Sequence, residues 1–157
     1  MTVKHKAQAG IAFIELLIVV PVLMMLLIGL IEIGRLAYFT IQVGNAAHAG
    51  AQYGALSFSN AADSTGMTNA AKRDGQNTIA TLSVTQARSV CACWNGTTET
   101  AFTTCPQPCT TGGRAVTYAQ VSVSGTINTL FRYGGVFGLP NSWTVARTAV
   151  IRVTPRQ

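Results

Sequence analysis

The first third of the chain contains one long apolar run. Residues 16–31 read LLIVVPVLMMLLIGLI without a charged side chain, and residues 11–14 extend the run towards the N-terminus with Glu15 as its one charge. A helix rises ~1.5 Å per residue, so residues 11–31 are long enough to cross a hydrocarbon core of roughly 30 Å. The pattern predicts a membrane-spanning helix. Pro21 is compatible with it, because membrane helices tolerate proline.

The helical pattern continues past the apolar run to about residue 56, without proline. Glu32 and Arg35 are three residues apart, so they can pair on one helical face. Alanine and glycine are frequent from residue 37 to 55. Small residues let helices approach closely, and this dense stretch fits packing against the helices of other subunits or against the chain's own head.

The pattern of the remaining residues predicts a small α+β head. A polar break covers residues 57–60, and residues 61–82 read as a second helix. Apolar residues then alternate at period two, which predicts strands at 84–93, around 119–123 and over 145–153, with Arg147 as an exception on the last apolar face. Glycines 134, 135 and 138 with Pro140 mark a loop before the last strand.

These elements predict three segments: a basic leader at residues 1–10, a hydrophobic helix at 11–56 that spans the membrane at about 11–31, and a head at 57–157. The expected fold is a long N-terminal transmembrane helix that continues into a head with a second helix and a three- or four-stranded antiparallel sheet.

Composition agrees with a membrane anchor. Only 10% of the 157 residues are charged, whereas about a quarter are charged in typical soluble domains. The net charge of +6 raises the question of nucleic-acid binding, but the cations are scattered and only Lys72 and Arg73 are adjacent. The charge therefore indicates a mildly cationic surface and no nucleic-acid partner.

Charges beside the apolar run predict its orientation. Lys4, His5 and Lys6 precede it closely, so the positive-inside rule places the N-terminus in the cytoplasm and the head in the periplasm. A cleaved secretory signal would have an apolar core of about 7–15 residues and a small-x-small site. This run is longer, and residues 32–35 offer no such site. A plain single-pass anchor is the other alternative, and it leaves Glu15 unexplained.

All four cysteines lie at residues 91–109, beyond the predicted span, which favours disulfides in an oxidising compartment. Cys91 and Cys93 point to the same side of a strand, so their partners are expected to be Cys105 and Cys109. The nested pairing, Cys91–Cys109 with Cys93–Cys105, suits a hairpin-like loop, and the crossed pairing stays open. A four-thiolate zinc site is less consistent with the tight Cys91-x-Cys93 spacing.

No motif indicates catalysis. The two histidines, His5 and His48, lie in the leader and the helix, and no nucleophile elbow, phosphate loop or metal-binding histidine pair occurs. We therefore expect neither an enzyme nor a cofactor, metal or small-molecule substrate.

The position of Glu15 adds a family resemblance. It is the fifth residue after Gly10, behind a basic leader, and in this the chain resembles the type IV pilin-like families. Pro21, the Glu32 and Arg35 pair and the small-residue stretch at 45–51 narrow this to a resemblance to the TadE-like pilins of the tight-adherence system, over about residues 7–56.

The resemblance implies specific roles. A prepilin peptidase would cut after Gly10, Ile11 would become the mature N-terminus, and Glu15 would pair with the freed amine of a neighbouring pilin subunit in the inner membrane. The major pilin usually has tyrosine where this chain has Leu16, which favours a minor pilin or pseudopilin with roles in adhesion or secretion. The alternative is a membrane-tethered periplasmic binding domain that does not polymerise.

Overall fold

The computed structural model describes residues 4–76, 81–101, 105, 109, 113–130 and 140–154, with side chains described from residue 12 and not at residue 101. Its elements confirm the predicted α+β class. They are α1 (Lys4–Ala55), α2 (Phe58–Ala62), α3 (Ser64–Gly75), β1 (Ser83–Trp94), β2 (Glu99–Ala101), β3 (Arg114–Asn128) and β4 (Ser142–Arg152).

Helix α1 contains the whole apolar run and ends close to the predicted residue. Pro21 lies inside it. At its C-terminal end the Leu56 N–H bonds to the Tyr53 carbonyl at 3.3 Å, and Ser57 adopts an extended backbone with φ −162°. The helix therefore ends where Ser57 leaves helical geometry and begins to cap the next one.

The prediction of one helix over residues 61–82 is wrong, because two short side-chain caps divide this segment. The Ser57 Oγ accepts a hydrogen bond from the Asn60 N–H at 3.1 Å and starts α2 inside the predicted polar break. The Asp63 Oδ1 accepts from the Gly66 N–H at 2.8 Å and starts α3. Such acceptors satisfy N–H groups that have no partner in the first turn of a helix.

Asp63 also ties the start of α3 to the end of α1, since the Tyr53 hydroxyl donates to its Oδ2 at 3.0 Å. The Gly66 N–H and then the Tyr53 hydroxyl lower the pKa of the Asp63 carboxyl. The same hydrogen bond raises the pKa of Tyr53.

The sheet has the order β2-β1-β3-β4, and every neighbouring pair is antiparallel. The three predicted strands are confirmed, each longer than its apolar alternation. Strand β2 was not predicted, because three residues are too short to show a period. In β4, Ala149 is buried and Arg147 is exposed, and the predicted loop glycines lie outside the described residues.

The core joins one face of the sheet to one face of α1. Five residues of the helix, Phe39, Val43, Ala46, Ala47 and Ala51, form a buried cluster with residues of α2, α3 and the sheet and with Val153 just after β4. The residues from α2, α3 and the sheet are Ala61, Met67, Ala71, Ala119, Val121, Val123 and Ala149. Apart from the adjacent Ala46 and Ala47, the helical residues recur at intervals of three or four, which is the spacing of a single helical face. The last part of α1 therefore packs against the chain's own head, as one of the two predicted alternatives for its small residues required.

Two glycines make that close packing possible. A Cβ added to Gly50 would lie 2.8 Å from the Met67 carbonyl oxygen, and one added to Gly54 would lie 2.6 Å from the Ala119 Cβ. A Cβ on Gly44 would meet nothing within 4 Å. Only some of the helix's small residues are therefore needed by the head.

The chain divides into two compact units, Met1–Ala37 and Tyr38–Gln157. The second unit includes the last part of α1. The boundary predicted at residue 57 marks the end of this helix, whereas the compact head begins inside it.

Two disulfides join Cys91 to Cys105 and Cys93 to Cys109, with Cα–Cα distances of 5.3 and 5.7 Å. The favoured nested pairing is therefore wrong and the crossed pairing is present. Strand β2 already makes the antiparallel return, since it pairs Ala101 with Ala92 and Glu99 with Trp94. Cys105 and Cys109 then meet Cys91 and Cys93 in the same order along the chain.

We predict that Gly50→Ala lowers the free energy of unfolding of the head by about 1–3 kcal/mol, because the new methyl group meets a backbone oxygen. The matched substitution Gly44→Ala should leave stability unchanged or raise it by up to ~1 kcal/mol, because alanine favours helix and nothing obstructs its Cβ.

Urea unfolding of the detergent-solubilised full chain measures both variants by tryptophan fluorescence, since both tryptophans, Trp94 and Trp143, lie in the sheet. Equal destabilisation by the two substitutions would contradict the assignment of Gly50 to the head's core.

We predict that the double variant Cys91→Ser/Cys105→Ser retains the other disulfide and has no free thiol. It should be less stable by roughly 3 kcal/mol, as expected for a loop of this size. The double variant Cys91→Ser/Cys109→Ser removes one cysteine from each bridge and should expose two thiols. Thiol titration of the unfolded proteins checks the pairing. Two free thiols in the Cys91→Ser/Cys105→Ser variant and none in the Cys91→Ser/Cys109→Ser variant would support the nested pairing instead.

Candidate functional site: the apolar helix and Glu15

The first part of α1 presents a continuous apolar surface. Large hydrophobic side chains are exposed along it, with Met25 at 72% as the most exposed. The others between residues 13 and 33 are Phe13, Ile14, Leu16, Leu17, Ile18, Val19, Val20, Val22, Leu23, Met24, Leu26, Leu27, Leu30, Ile31 and Ile33. Full burial of each such side chain stabilises by about 1.5–3 kcal/mol, so this surface requires an apolar surrounding.

Among the described residues, one helix is long and apolar enough to cross a membrane, and its candidate span is Ala12–Ala55. Length and composition thus agree with a single membrane anchor near the N-terminus.

Glu15 lies exposed on this apolar surface. Its neighbours one turn away, Ala12, Ile18 and Val19, are exposed and cannot bond a carboxylate. Glu15 forms no hydrogen bond or ion pair with any residue that the structure describes. An ionisable group at such a position costs free energy inside a membrane unless a partner is supplied.

The other end of the apolar run provides a contrast within the same helix. Arg35 Nη1 lies 3.3 Å from Glu32 Oε2, and the two side chains are 36% and 21% exposed. The predicted pairing of these residues is present. Glu32 is therefore neutralised within its own chain, whereas Glu15 has no such partner in the described part of the chain.

Three further predicted residues belong to the same element. Gly10 and Ile11 lie on α1, which the structure begins at Lys4. Pro21 has no N–H to donate to the carbonyl of Leu17, one turn earlier, which leaves that acceptor without its helical bond.

The part of α1 that packs on the head keeps a second, exposed face. Tyr38, Ile41, Asn45, His48 and Gln52 recur on it at intervals of three and four, and all are exposed. Gly44 adjoins this face and has open space beside it. Packing against the head therefore accounts for some of the small residues of the helix, such as Gly50 and Gly54, and not for Gly44.

The two disulfides together contain all four cysteines. This leaves no thiolate for the zinc-site alternative, and the described residues contain no cluster of three or more histidine, cysteine or acidic side chains suited to a metal.

The sequence analysis did not single out Tyr118 and Glu99, which meet on the sheet. The Tyr118 hydroxyl donates a hydrogen bond to Glu99 Oε1. This bond, followed by partial burial, raises the pKa of Tyr118, and Arg152 opposes the shift. The period-two pattern of β3 places Tyr118 on the opposite face from Ala119, but β2, which carries Glu99, gave no periodic signal.

A long apolar helix, whose Glu15 has no partner among the described residues, and a small α+β head define a membrane-anchored protein of pilin-like layout. Residues 10–52 match the family model described as TadE-like protein. This match confirms the resemblance and covers Glu15, Pro21, Glu32 and Arg35. The match indicates a membrane protein related to the tight-adherence pilus, and the matched family is structural and pilus-associated.

No curated protein and no solved structure matches the chain. The head is accordingly interpreted from its own geometry.

Proposed function

We propose that this protein is a minor pilin or pseudopilin, a structural subunit of a tight-adherence or type IV-like pilus or of its assembly complex. The apolar helix anchors it in the bacterial inner membrane, with the N-terminus in the cytoplasm and the head in the periplasm. A prepilin peptidase removes residues 1–10, and Ile11 becomes the mature N-terminus. Its partners are other pilin subunits, of the same or another kind.

The isolated carboxylate of Glu15 is the observation that supports this proposal most strongly. A charged group at the centre of a membrane helix costs about 2.5–3.5 kcal/mol on an insertion scale, and less near an end. Cleavage after Gly10 creates a positive amine one helical turn from Glu15. Helices assembled side by side then carry one amine and one carboxylate per subunit at similar depth, so the pairs neutralise each other across subunits.

The exposed face of α1 that contains Tyr38, Ile41 and His48 supports assembly in a second way. A Cβ at Gly44 meets nothing, although glycine costs up to ~1 kcal/mol relative to alanine inside a helix. We assign the open space beside Gly44 to the helix of a neighbouring subunit, which small residues allow to approach.

A second candidate is a tethered periplasmic binding domain that does not polymerise. The compact unit Tyr38–Gln157 favours it, because the head has its own core and two disulfides and needs no neighbour to complete them. This candidate predicts an intact leader and no protein in surface fibres.

We predict that Glu15→Gln inserts normally but fails to enter fibres, because it removes one member of a charge pair held away from water. Breaking such a pair costs roughly 3 kcal/mol, which is more than about a hundredfold in each contact. The measurement compares the variant's abundance in membranes with its abundance in sheared fibres.

Asp74→Asn is the matched control, since it removes one carboxylate from an exposed position on α3. It should assemble like the wild type. Normal assembly of Glu15→Gln would refute the charge-pairing role.

We predict that the protein purified from membranes begins at Ile11. Intact-mass spectrometry together with the N-terminal peptide measures this, and a methylated amine on Ile11 would strengthen the assignment. Retention of residues 1–10, combined with absence from sheared fibres, would favour the tethered domain instead.

A further inference from the structure

The sheet has a second face, turned away from the core, which we call the outer face. Ala119, Val121 and Val123 point into the core. Because side chains alternate along a strand, Tyr118 and Gln120 of β3 point to the outer face. Strand register places their neighbours on the same face.

Three rows of facing side chains cross the outer face. In one row Tyr118 lies between Val90 and Arg152, and in the next Gln120 lies between Arg88 and Val150. A third row places Arg114 opposite Trp94, which in turn faces Glu99 on β2. Aromatic, aliphatic and polar groups therefore alternate over a small area.

These rows surround an open depression of about 370 Å³, lined by Val90, Ala92, Glu99, Tyr118, Gln120 and Val150. Its size lies at the lower end of the range for small-molecule sites. Val150 is 56% exposed, so an apolar surface is available to a ligand. The Tyr118–Glu99 hydrogen bond fixes the polar side of the depression.

The charges around the depression are mostly positive. Arg88, Arg114 and Arg152 are exposed on the outer face, and none of them forms a salt bridge with a described residue. Arg88 Nε donates only to the amide oxygen of Gln120, at 3.4 Å. The one carboxylate is Glu99. Guanidinium groups with free donors favour carboxylate ligands, which they bind in a two-point geometry.

We propose that the outer face binds a carboxylated polysaccharide. The arginines bind its carboxylates, Glu99 accepts hydrogen bonds from its hydroxyl groups, and Gln120 can donate or accept. Val150 and the Tyr118 ring cover the apolar side of the sugar. This proposal does not depend on polymerisation, since a tethered head would present the same face.

The charge pattern argues against other occupants. A second copy is a poor partner, because the chain has five acidic residues and a net charge of +6. A ligand made of anionic groups alone would meet repulsion from Glu99. A ligand with both carboxylates and hydroxyl groups satisfies the acidic and the basic side chains together.

The test measures binding of the detergent-solubilised full chain to immobilised polygalacturonate, with dextran and poly-glutamate as probes that each lack one feature. Dextran has hydroxyl groups without carboxylates, and poly-glutamate has carboxylates without hydroxyl groups. We expect polygalacturonate to bind at least about tenfold more tightly than either. Equal binding of dextran would overturn the role of charge, and equal binding of poly-glutamate would indicate an acidic peptide and overturn the proposal.

Two matched double variants test whether the binding site lies on the outer face. Arg88→Gln/Arg152→Gln should weaken polygalacturonate binding about tenfold or more. Lys72→Gln/Arg73→Gln removes the same charge from α3 and should change it less than about twofold. Equal losses in the two variants would reduce the effect to net charge and refute the site.

A third variant tests the depression itself. Val150→Glu places a carboxylate beside Gln120 without altering the buried core, because Val150 is exposed on the outer face. We expect it to abolish detectable binding while tryptophan fluorescence and urea unfolding stay as in the wild type. Unchanged binding by a folded Val150→Glu protein would contradict the proposed position.

Discussion

The Glu15 carboxylate on an apolar helix is the constraint on which the proposed function depends. Glu15 is surrounded one turn away by side chains that cannot bond it, and it lies at one end of a run that requires apolar surroundings. Glu32, at the other end, is paired within its own chain. Glu32 therefore has its counter-charge within the helix, whereas Glu15 has none among the residues that the structure describes.

Helix α1 serves the head as well as the membrane. Its last part supplies five of the buried core residues, and Gly50 and Gly54 allow the sheet and α3 to approach it closely. The exposed face beyond Gly44 is not needed by that core. Small residues that look equivalent in the sequence therefore differ in their surroundings. Gly50 and Gly54 adjoin atoms of the head's core, whereas Gly44 adjoins open space.

Long segments with a regular apolar period were predictable from the sequence. The helix cap at Asp63 and the pairing of the cysteines were not. The apolar run of α1 and the alternation at Ala119, Val121 and Val123 each extend over enough residues to define an element. The break between α2 and α3 depends on the Asp63 side chain, which caps α3. Such a cap competes with a continuous helix at similar free energy. The crossed disulfides depended on β2, whose three residues have no readable period.

The candidate functional residues follow the same division. Glu15 could be identified because it is an exception within a strong pattern. The depression on the outer face joins residues from four strands, including Glu99, Tyr118 and Val150, and such a grouping exists only after the strand register is known. The three arginines on the same face appear scattered in the sequence, where they had indicated only a mildly cationic surface.

Zero-length carbodiimide cross-linking of sheared fibres tests the central claim most directly. With fibres assembled from a mixture of ¹⁴N- and ¹⁵N-labelled subunits, we predict an amide bond between the Glu15 carboxylate and the N-terminal amine of a neighbouring pilin subunit, of the same or another kind, seen as a mixed-label peptide. Fibres that contain the protein but yield no such link between subunits, or that retain residues 1–10, would contradict the account.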